Sequence, residues 1–142
     1  TFEIKEKNPS SYLLSIPTIP TFRMTRRLKG IVELKEEDEG KIFDDVVGMT
    51  GDWRRAGPVY YIPFSCLYAV KTKNLITAGR CISASSAWDI IRAIPTCTLT
   101  GEISGTAGSL LIKENSESFS NLDIKKLQET LKKQGVIIYN KK

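Results

Sequence analysis

The chain has 142 residues, 41% of them hydrophobic and 26% charged, with a formal net charge of +5 and no His. That is one domain's length, able to bury roughly two-thirds of its unfolded surface, with the composition of a globular protein. It excludes His-based triads and His metal sites, and no apolar run approaches the ~18 residues of a membrane-spanning helix.

Cys66, Cys81 and Cys97 are odd in number and lack paired metal spacing. The first residues do not read as a signal peptide, so the cysteines are expected to be reduced, small and buried in a cytoplasmic protein without a metal site. The positive charge is dispersed. Arg23, Arg26 and Arg27 form one cluster, Arg54 and Arg55 a second, and the lysines of the last 18 residues a third. The acidic run Glu36-Glu37-Asp38-Glu39 interrupts them, and aromatic residues do not interleave with the basic ones as a single-strand platform requires. Neither nucleic acid nor a membrane is an expected partner.

In chain order, Thr1–Lys7 alternate weakly, as an edge strand does. Ser11–Ile16 alternate better, until Pro17 and Pro20 stop them. Thr21–Leu34 reads as a long strand with a bulge or turn at Gly30. Lys35–Val47 reads as a helix: the acidic run suits its positive N-terminal end, Ile42, Phe43, Val46 and Val47 supply an apolar face, and Gly48 or Gly51 caps it. Asp52–Pro58 is a polar loop carrying Trp53, Arg54 and Arg55. Val59–Val70 is a strand in which Pro63 demands a bulge or an edge. Lys71–Asn74 turns into a short buried strand, Leu75–Ala78, which stops at Gly79-Arg80.

Two helices follow, Ala84–Ile94 and Pro95–Glu114. Pro95 suits a helix start, where a missing N–H costs nothing. The second helix carries Leu99, Ile103, Ala107, Leu110 and Leu111 on one face and Gly101, Gly105 and Gly108 on another. A helix-interior glycine costs roughly 0.8–1 kcal/mol against alanine, so three on one face call for a close approach by another backbone or a flat ligand. Asn115–Asn121 is a polar linker. Asp123 caps a last helix whose face is Ile124, Leu127 and Leu131, Gly135 ends it, and Val136–Tyr139 adds a short strand. The fold expected is α/β in content (α+β as an isolated piece), a mixed or antiparallel sheet with flanking helices.

The chemistry converges after Leu75–Ala78. Open sheets bind ligands beyond the carboxyl ends of their strands, and Gly79 lets a ligand approach the backbone there, although a plain turn glycine reads the same way. Pro95-Thr96-Cys97 opens a helix whose first amides have no partner within it, an end that attracts negative charge. Arg92, three residues earlier, either adds positive charge or holds a carboxylate, or is an ordinary salt-bridge residue. Alternation puts Arg23 and Arg27 on one face of their strand and Arg26 on the other. Arginine forks suit carboxylate or phosphate, and a solvated charged strand is the other reading.

The chain resembles a known family at several places in order. These are Arg23-Met24-Thr25-Arg26-Arg27-Leu28-Lys29-Gly30, Tyr61-Ile62-Pro63-Phe64-Ser65-Cys66-Leu67, Asn74 to Ser83, Arg92-Ala93-Ile94-Pro95-Thr96-Cys97, Gly101 to Gly108, and Leu127 to Gly135. Together they resemble the C-terminal part of FAD-dependent oxidoreductases of the two-dinucleotide-binding-fold type, distantly related to fumarate reductase flavoproteins. The resemblance implies that Ala78, Gly79 and Arg80 lie along the pyrophosphate and ribityl chain of FAD, with Ser83 a further cofactor contact. It implies that the helix begun by Pro95, Thr96 and Cys97 aims its amides at the flavin's N1–O2 edge, and that Arg92 and Arg26 contact flavin or a substrate carboxylate. Residues 1–70 then form a substrate or cap-type β-rich region with one helix, and 71–142 the C-terminal part of the FAD-binding domain.

A complete site of this type needs a Gly-x-Gly-x-x-Gly turn after a strand, with an acidic residue about 20 positions on. The chain has neither. That absence, and a first residue that is Thr rather than Met, lead to the expectation of a fragment, inactive alone, that meets FAD and a small-molecule substrate through a missing N-terminal half. A homo-oligomer is compatible with this. The competing expectation is a non-enzymatic folding or assembly module.

Overall fold

The computed structural model of the protein describes residues 6–12 and 26–139. The edge strand expected at Thr1–Lys7 and the run at Ser11–Ile16 lie mostly outside those residues, as do residues 21–25 of the strand expected at Thr21–Leu34.

Among the described residues the sheet is antiparallel and has two strands, β1 (Val46–Gly51) and β2 (Val59–Pro63). Met49 stands opposite Tyr61, Thr50 opposite Tyr60 and Gly51 opposite Val59, and the register slips between Val46 and Gly48. Val47 is the extra residue of that bulge and is fully buried. Tyr60 and Ile62 alternate inward on β2. The loop at Asp52–Pro58 connects the strands as expected. β2 stops at Pro63 rather than running on to Val70, because proline cannot donate to a ladder and Phe64–Cys66 turn as a 3-10 helix.

The helix expected over Lys35–Val47 does not form. Only Glu36–Asp38 make a 3-10 turn. The Asp38 carboxylate accepts the Lys35 N–H at 3.0 Å, Gly40 takes a left-handed φ of 70°, and the chain leaves the helical path. The acidic run is held by distant cations instead of a helix end: Glu36 pairs with Arg54 and Glu39 with Arg55, each at 2.7 Å. The β-branched Val46 and Val47 go to β1, and Gly48 and Gly51 are strand residues rather than caps.

Three helices follow: α1 (Trp88–Ile91), α2 (Ile94–Lys113) and α3 (Ile124–Lys133). α1 is shorter than the stretch expected at Ala84–Ile94. Ala84 bridges Leu34 in parallel and the Ser85 N–H donates to the Leu34 carbonyl at 2.8 Å, so that stretch begins extended. α2 starts with Ala93 as its N-cap and Pro95 in its first turn, as expected. α3 is capped by Asp123, whose carboxylate accepts from Lys125 and Lys126 N–H at 2.9 and 3.2 Å, and Gly135 (φ 93°) follows its end.

α2 and α3 pack on β1. Ile103, Ala107 and Leu110 are buried on α2, with Leu99 and Leu111 half-buried at the flanks. Gly48 makes the close approach possible: a Cβ there would stand 2.9 Å from Leu99 Cδ2 and 3.3 Å from Ile103 Cδ1. Leu127 and Leu131 of α3 are fully buried, each worth about 1.5–3 kcal/mol. The Gln128 side-chain amide donates to the Val46 carbonyl at 2.7 Å, where the bulge frees that oxygen. Val136–Tyr139 is not a strand, although Ile138 is buried against the core.

Candidate functional site

The segment expected as a buried strand, Leu75–Ala78, makes a single antiparallel bridge, Ile76 to Tyr68, and Leu75 is 43% exposed. Its hydrogen bonds go two ways. The Thr77 N–H donates to the Leu67 carbonyl at 2.7 Å. On the other side, the Ser104 hydroxyl of α2 donates to the Thr77 carbonyl at 2.9 Å. A side-chain hydroxyl of α2 therefore bonds the segment on one side, and the short buried strand expected here is extended chain with one isolated bridge.

At its end Gly79 turns with φ 68°, a conformation glycine takes without the cost a side chain would meet. Gly79–Cys81 form a 3-10 turn. A Cβ on Gly79 would touch Cys97 Sγ at 3.4 Å, so the glycine turn lies directly against the first turn of α2. The Gly79 N–H donates to the Thr100 hydroxyl at 2.9 Å, and the buried Thr100 hydroxyl in turn donates to the Thr96 carbonyl at 2.8 Å. Thr96 is also tied to β1, its hydroxyl 2.7 Å from that of Thr50. Thr96, Thr100 and Ser104, spaced four apart, thus form a polar face of α2 that neither the apolar nor the glycine reading of the sequence singled out. The i, i+4, i+8 spacing of hydroxyl residues is the signal that could have found it.

The start of α2 has no side-chain cap. Its first internal bond runs from the Cys97 N–H to the Ala93 carbonyl at 2.9 Å, so the amides of Ile94 and Thr96 lie ahead of the helical ladder and Pro95 has none. Burial pushes the Cys97 thiol up from its ordinary pKa, against Arg80, which pulls it down. Cys97 and Cys81 are free thiols, half-buried and exposed; Cys66, also free, is fully buried, and burial raises it strongly.

Arg92 sits beside this helix start, between two indoles. Its guanidinium carbon is 5.5 Å from the ring centroids of both Trp53 and Trp88, and its Nε donates to the Asp89 carboxylate at 2.6 Å. The Trp88 N–H donates to the Arg80 carbonyl at 2.9 Å and the Trp53 N–H to the Asp89 carbonyl at 2.8 Å. Trp53 comes from the Asp52–Pro58 loop, which is anchored by Asp52. The Asp52 carboxylate is buried and takes two hydrogen bonds from the Arg54 guanidinium, both at 2.9 Å, one from the Arg54 backbone N–H at 3.0 Å, and a longer one from Arg55. The Arg54 guanidinium holds the Asp52 carboxyl well below the usual carboxylate range. Both arginines of the loop are engaged in this way, and its exposed tryptophan is what reaches the helix start.

Ala78, Gly79, Arg80, Thr96 and Cys97 are therefore gathered at one place, with Arg92 behind them. Ser83 belongs to another. It is buried, its backbone bonds Cys66 and Leu34, and it lines a cavity of about 440 Å³ with Arg27, Lys29 and Glu33. Arg27 pairs with Glu33 at 2.7 Å, Arg26 is exposed, and Arg23 lies outside the described residues. Gly30 is obligatory here: a Cβ would stand 2.7 Å from the Ser65 carbonyl oxygen and 2.9 Å from Ser83 Cβ. The glycine face of α2 is open. A Cβ on Gly101, Gly105 or Gly108 would meet nothing within 4 Å, and Ile94 and Ile112 at its two ends are 83% and 78% exposed.

Among the described residues no group of His, Cys, Asp and Glu is arranged to hold a metal, and no helix is long and apolar enough to cross a membrane. Backbone donors at an uncapped helix start suit the acceptor edge of a flat anionic cofactor, while the Gly79 turn beside them packs on Cys97 and gives its N–H to Thr100. The fit is partial, since the chain has no Gly-x-Gly-x-x-Gly cradle for a pyrophosphate. The fold is a small α/β unit in which the Gly79 turn meets the start of α2. A family model described as FAD dependent oxidoreductase matches residues 4–131, and the chain belongs to that family. No curated protein and no solved structure matches it.

Proposed function

We propose that this chain is the C-terminal part of a flavin-dependent oxidoreductase that moves electrons or a hydride through FAD to or from a small substrate. The observation that carries the reading is the meeting of the Gly79 turn with the uncapped start of α2, in a chain of the FAD dependent oxidoreductase family. FAD supplies the redox chemistry when bound. The chain's own residues supply position and charge. Ala78, Gly79 and Arg80 line the cofactor's pyrophosphate and ribityl side. The Ile94 and Thr96 amides at the start of α2 face the flavin's N1–O2 edge, where a helix end equivalent to about half a positive charge favours the anionic reduced state; Cys97, expected to add an amide, spends its N–H on the Ala93 carbonyl. Arg92, held between Trp53 and Trp88, adds positive charge behind that edge, offset by Asp89.

Residues 1–70 form the substrate side in this reading. The cavity between Arg27 and Ser83 and the exposed Arg26 are where a substrate carboxylate meets the chain. The open glycine face of α2 is the seat of the dinucleotide-binding part, which the absent glycine fingerprint requires. The test is anaerobic reduction of the full-length protein followed by visible absorption. The flavin band should bleach with one equivalent of a two-electron donor per chain and return with an oxidant. A folded full-length protein without a flavin band, before and after incubation with FAD, would leave only the assembly-module reading.

A further inference from the structure

The hydroxyl of Thr100 stands between the two halves of the candidate cofactor site. It is fully buried in the second turn of α2. Its proton points down the helix, to the Thr96 carbonyl at 2.8 Å, with the Cys97 carbonyl 3.1 Å away. A threonine that back-bonds its own helix in this way keeps a lone pair facing outward. That lone pair accepts the Gly79 N–H at 2.9 Å. The turn at Gly79 has no ladder partner to fix it, because the segment before it makes one isolated bridge only. The far side of the turn is held by the Trp88 indole N–H on the Arg80 carbonyl at 2.9 Å and the Leu28 N–H on the Cys81 carbonyl at 2.7 Å; what ties it to α2 is Thr100, with the Ser104 bond to the Thr77 carbonyl at 2.9 Å and packing against Cys97.

We infer that Thr100 is a positioning residue for the cofactor: it sets where the Gly79–Arg80 turn stands relative to the amide end of α2. The inference rests on the flavin reading of this site. Both elements must hold parts of one rigid ligand, and a shift of the turn by a few tenths of an ångström misaligns them even though each remains folded. The hydroxyl is the requirement, not the β-branch. Serine can make the same pair of bonds, while valine keeps the shape and loses both.

The experiment uses full-length protein stripped of flavin, with Thr100→Val, Thr100→Ser and the control Thr98→Val. Thr98 is exposed on the same helix, and its hydroxyl bonds only the Ile94 carbonyl, at 3.1 Å, so it reports the effect of a threonine-to-valine change on the helix itself. FAD affinity is read from the quenching of flavin fluorescence at a temperature where every variant is folded, beside Tm of each apo-protein. Thr100→Val is expected to weaken FAD binding about fivefold to tenfold, the worth of one hydrogen bond. Thr100→Ser should restore binding to within about twofold, and Thr98→Val should leave it unchanged. A purely structural Thr100 would lower Tm and leave the affinity alone. That result, or equal losses in Thr98→Val and Thr100→Val, overturns the inference. If Thr100→Val does not fold, Thr100→Ala is read against Thr100→Ser in the same way. Wild-type protein that binds no FAD would overturn the flavin reading itself, and this inference with it.

Discussion

Replacing Gly105 separates an open helix face from one that another part of the protein covers. A Cβ at Gly105 meets nothing within 4 Å, and the residue is exposed in the middle of the twenty-residue helix α2. In the 142-residue chain, Gly105→Ala therefore relieves a helix-interior glycine without steric cost, a gain of about 0.8–1 kcal/mol. At roughly 3–5 °C per kcal/mol for a chain of this length, Tm should rise by about 2–5 °C. In the function proposed above, the same position of the full-length protein faces a dinucleotide-binding part. There Gly105→Leu should overpack, at about 1–3 kcal/mol, and lower both flavin occupancy and Tm. Thermal unfolding by circular dichroism on the chain, and flavin-to-protein absorbance ratios on the full-length variant, read the two effects. A lower Tm for Gly105→Ala in the chain would show the face already covered. Full flavin occupancy with unchanged Tm for Gly105→Leu in the full-length protein would show that nothing packs there, and would remove the glycine face from the account.

Other consequences can be checked by single substitutions. Gly30→Ala places a methyl 2.7 Å from the Ser65 carbonyl oxygen, which also accepts the Ile31 N–H at 3.0 Å; overpacking plus a weakened hydrogen bond should cost about 2–4 kcal/mol in chemical denaturation. Gly48→Ala should cost under about 1.5 kcal/mol, since the nearest atom it meets is the tip of the Leu99 side chain, and equal losses for the two glycines would contradict the steric argument. Asp52 has a folded pKa depressed below the unfolded value of about 3.9, so its contribution is complete above that pH and is lost as pH falls toward the folded value. Asp52→Asn should thus flatten the acid side of the stability profile, and an unchanged slope below about pH 4 would detach Asp52 from acid unfolding. Arg92→Met should lower the flavin midpoint potential of the full-length protein in a redox titration; an equal potential with a lower Tm would make Arg92 a clip for Trp53 and Trp88 and nothing more.

What the sequence disclosed and what it hid follow from the range of the interactions. α3 was legible because its signals are local. Asp123 bonds amides two and three residues on, and Gly135 turns the chain just past the end. The start of α2 was legible for the same reason, through Pro95. The stretch Lys35–Val47 is not a helix because its acidic run is claimed by Arg54 and Arg55 from the connecting loop of the β-hairpin. Leu75–Ala78 looked like a buried strand because its residues are apolar, yet hydroxyls from α2, more than twenty residues later, take the place of a strand neighbour. In the candidate site, the glycine turn and helix start were visible as motifs. The hydroxyl spacing on α2 and the i, i+4 pair Trp88–Arg92 are local, but the partners they meet are not: Thr100 takes the Gly79 N–H from 21 residues away, and Trp53 reaches Arg92 across 39. Ser83, which the resemblance implies as a cofactor contact, lines the cavity beside Arg27.

The central claim is that this chain holds one side of an FAD site and not the whole of it. The most direct test is FAD binding measured in parallel on the 142-residue chain and on the full-length protein, by fluorescence titration under identical conditions. The account predicts no binding at micromolar FAD by the chain alone, which lacks the pyrophosphate cradle, and one tightly held FAD per full-length molecule. Micromolar or tighter binding by the chain alone would contradict it.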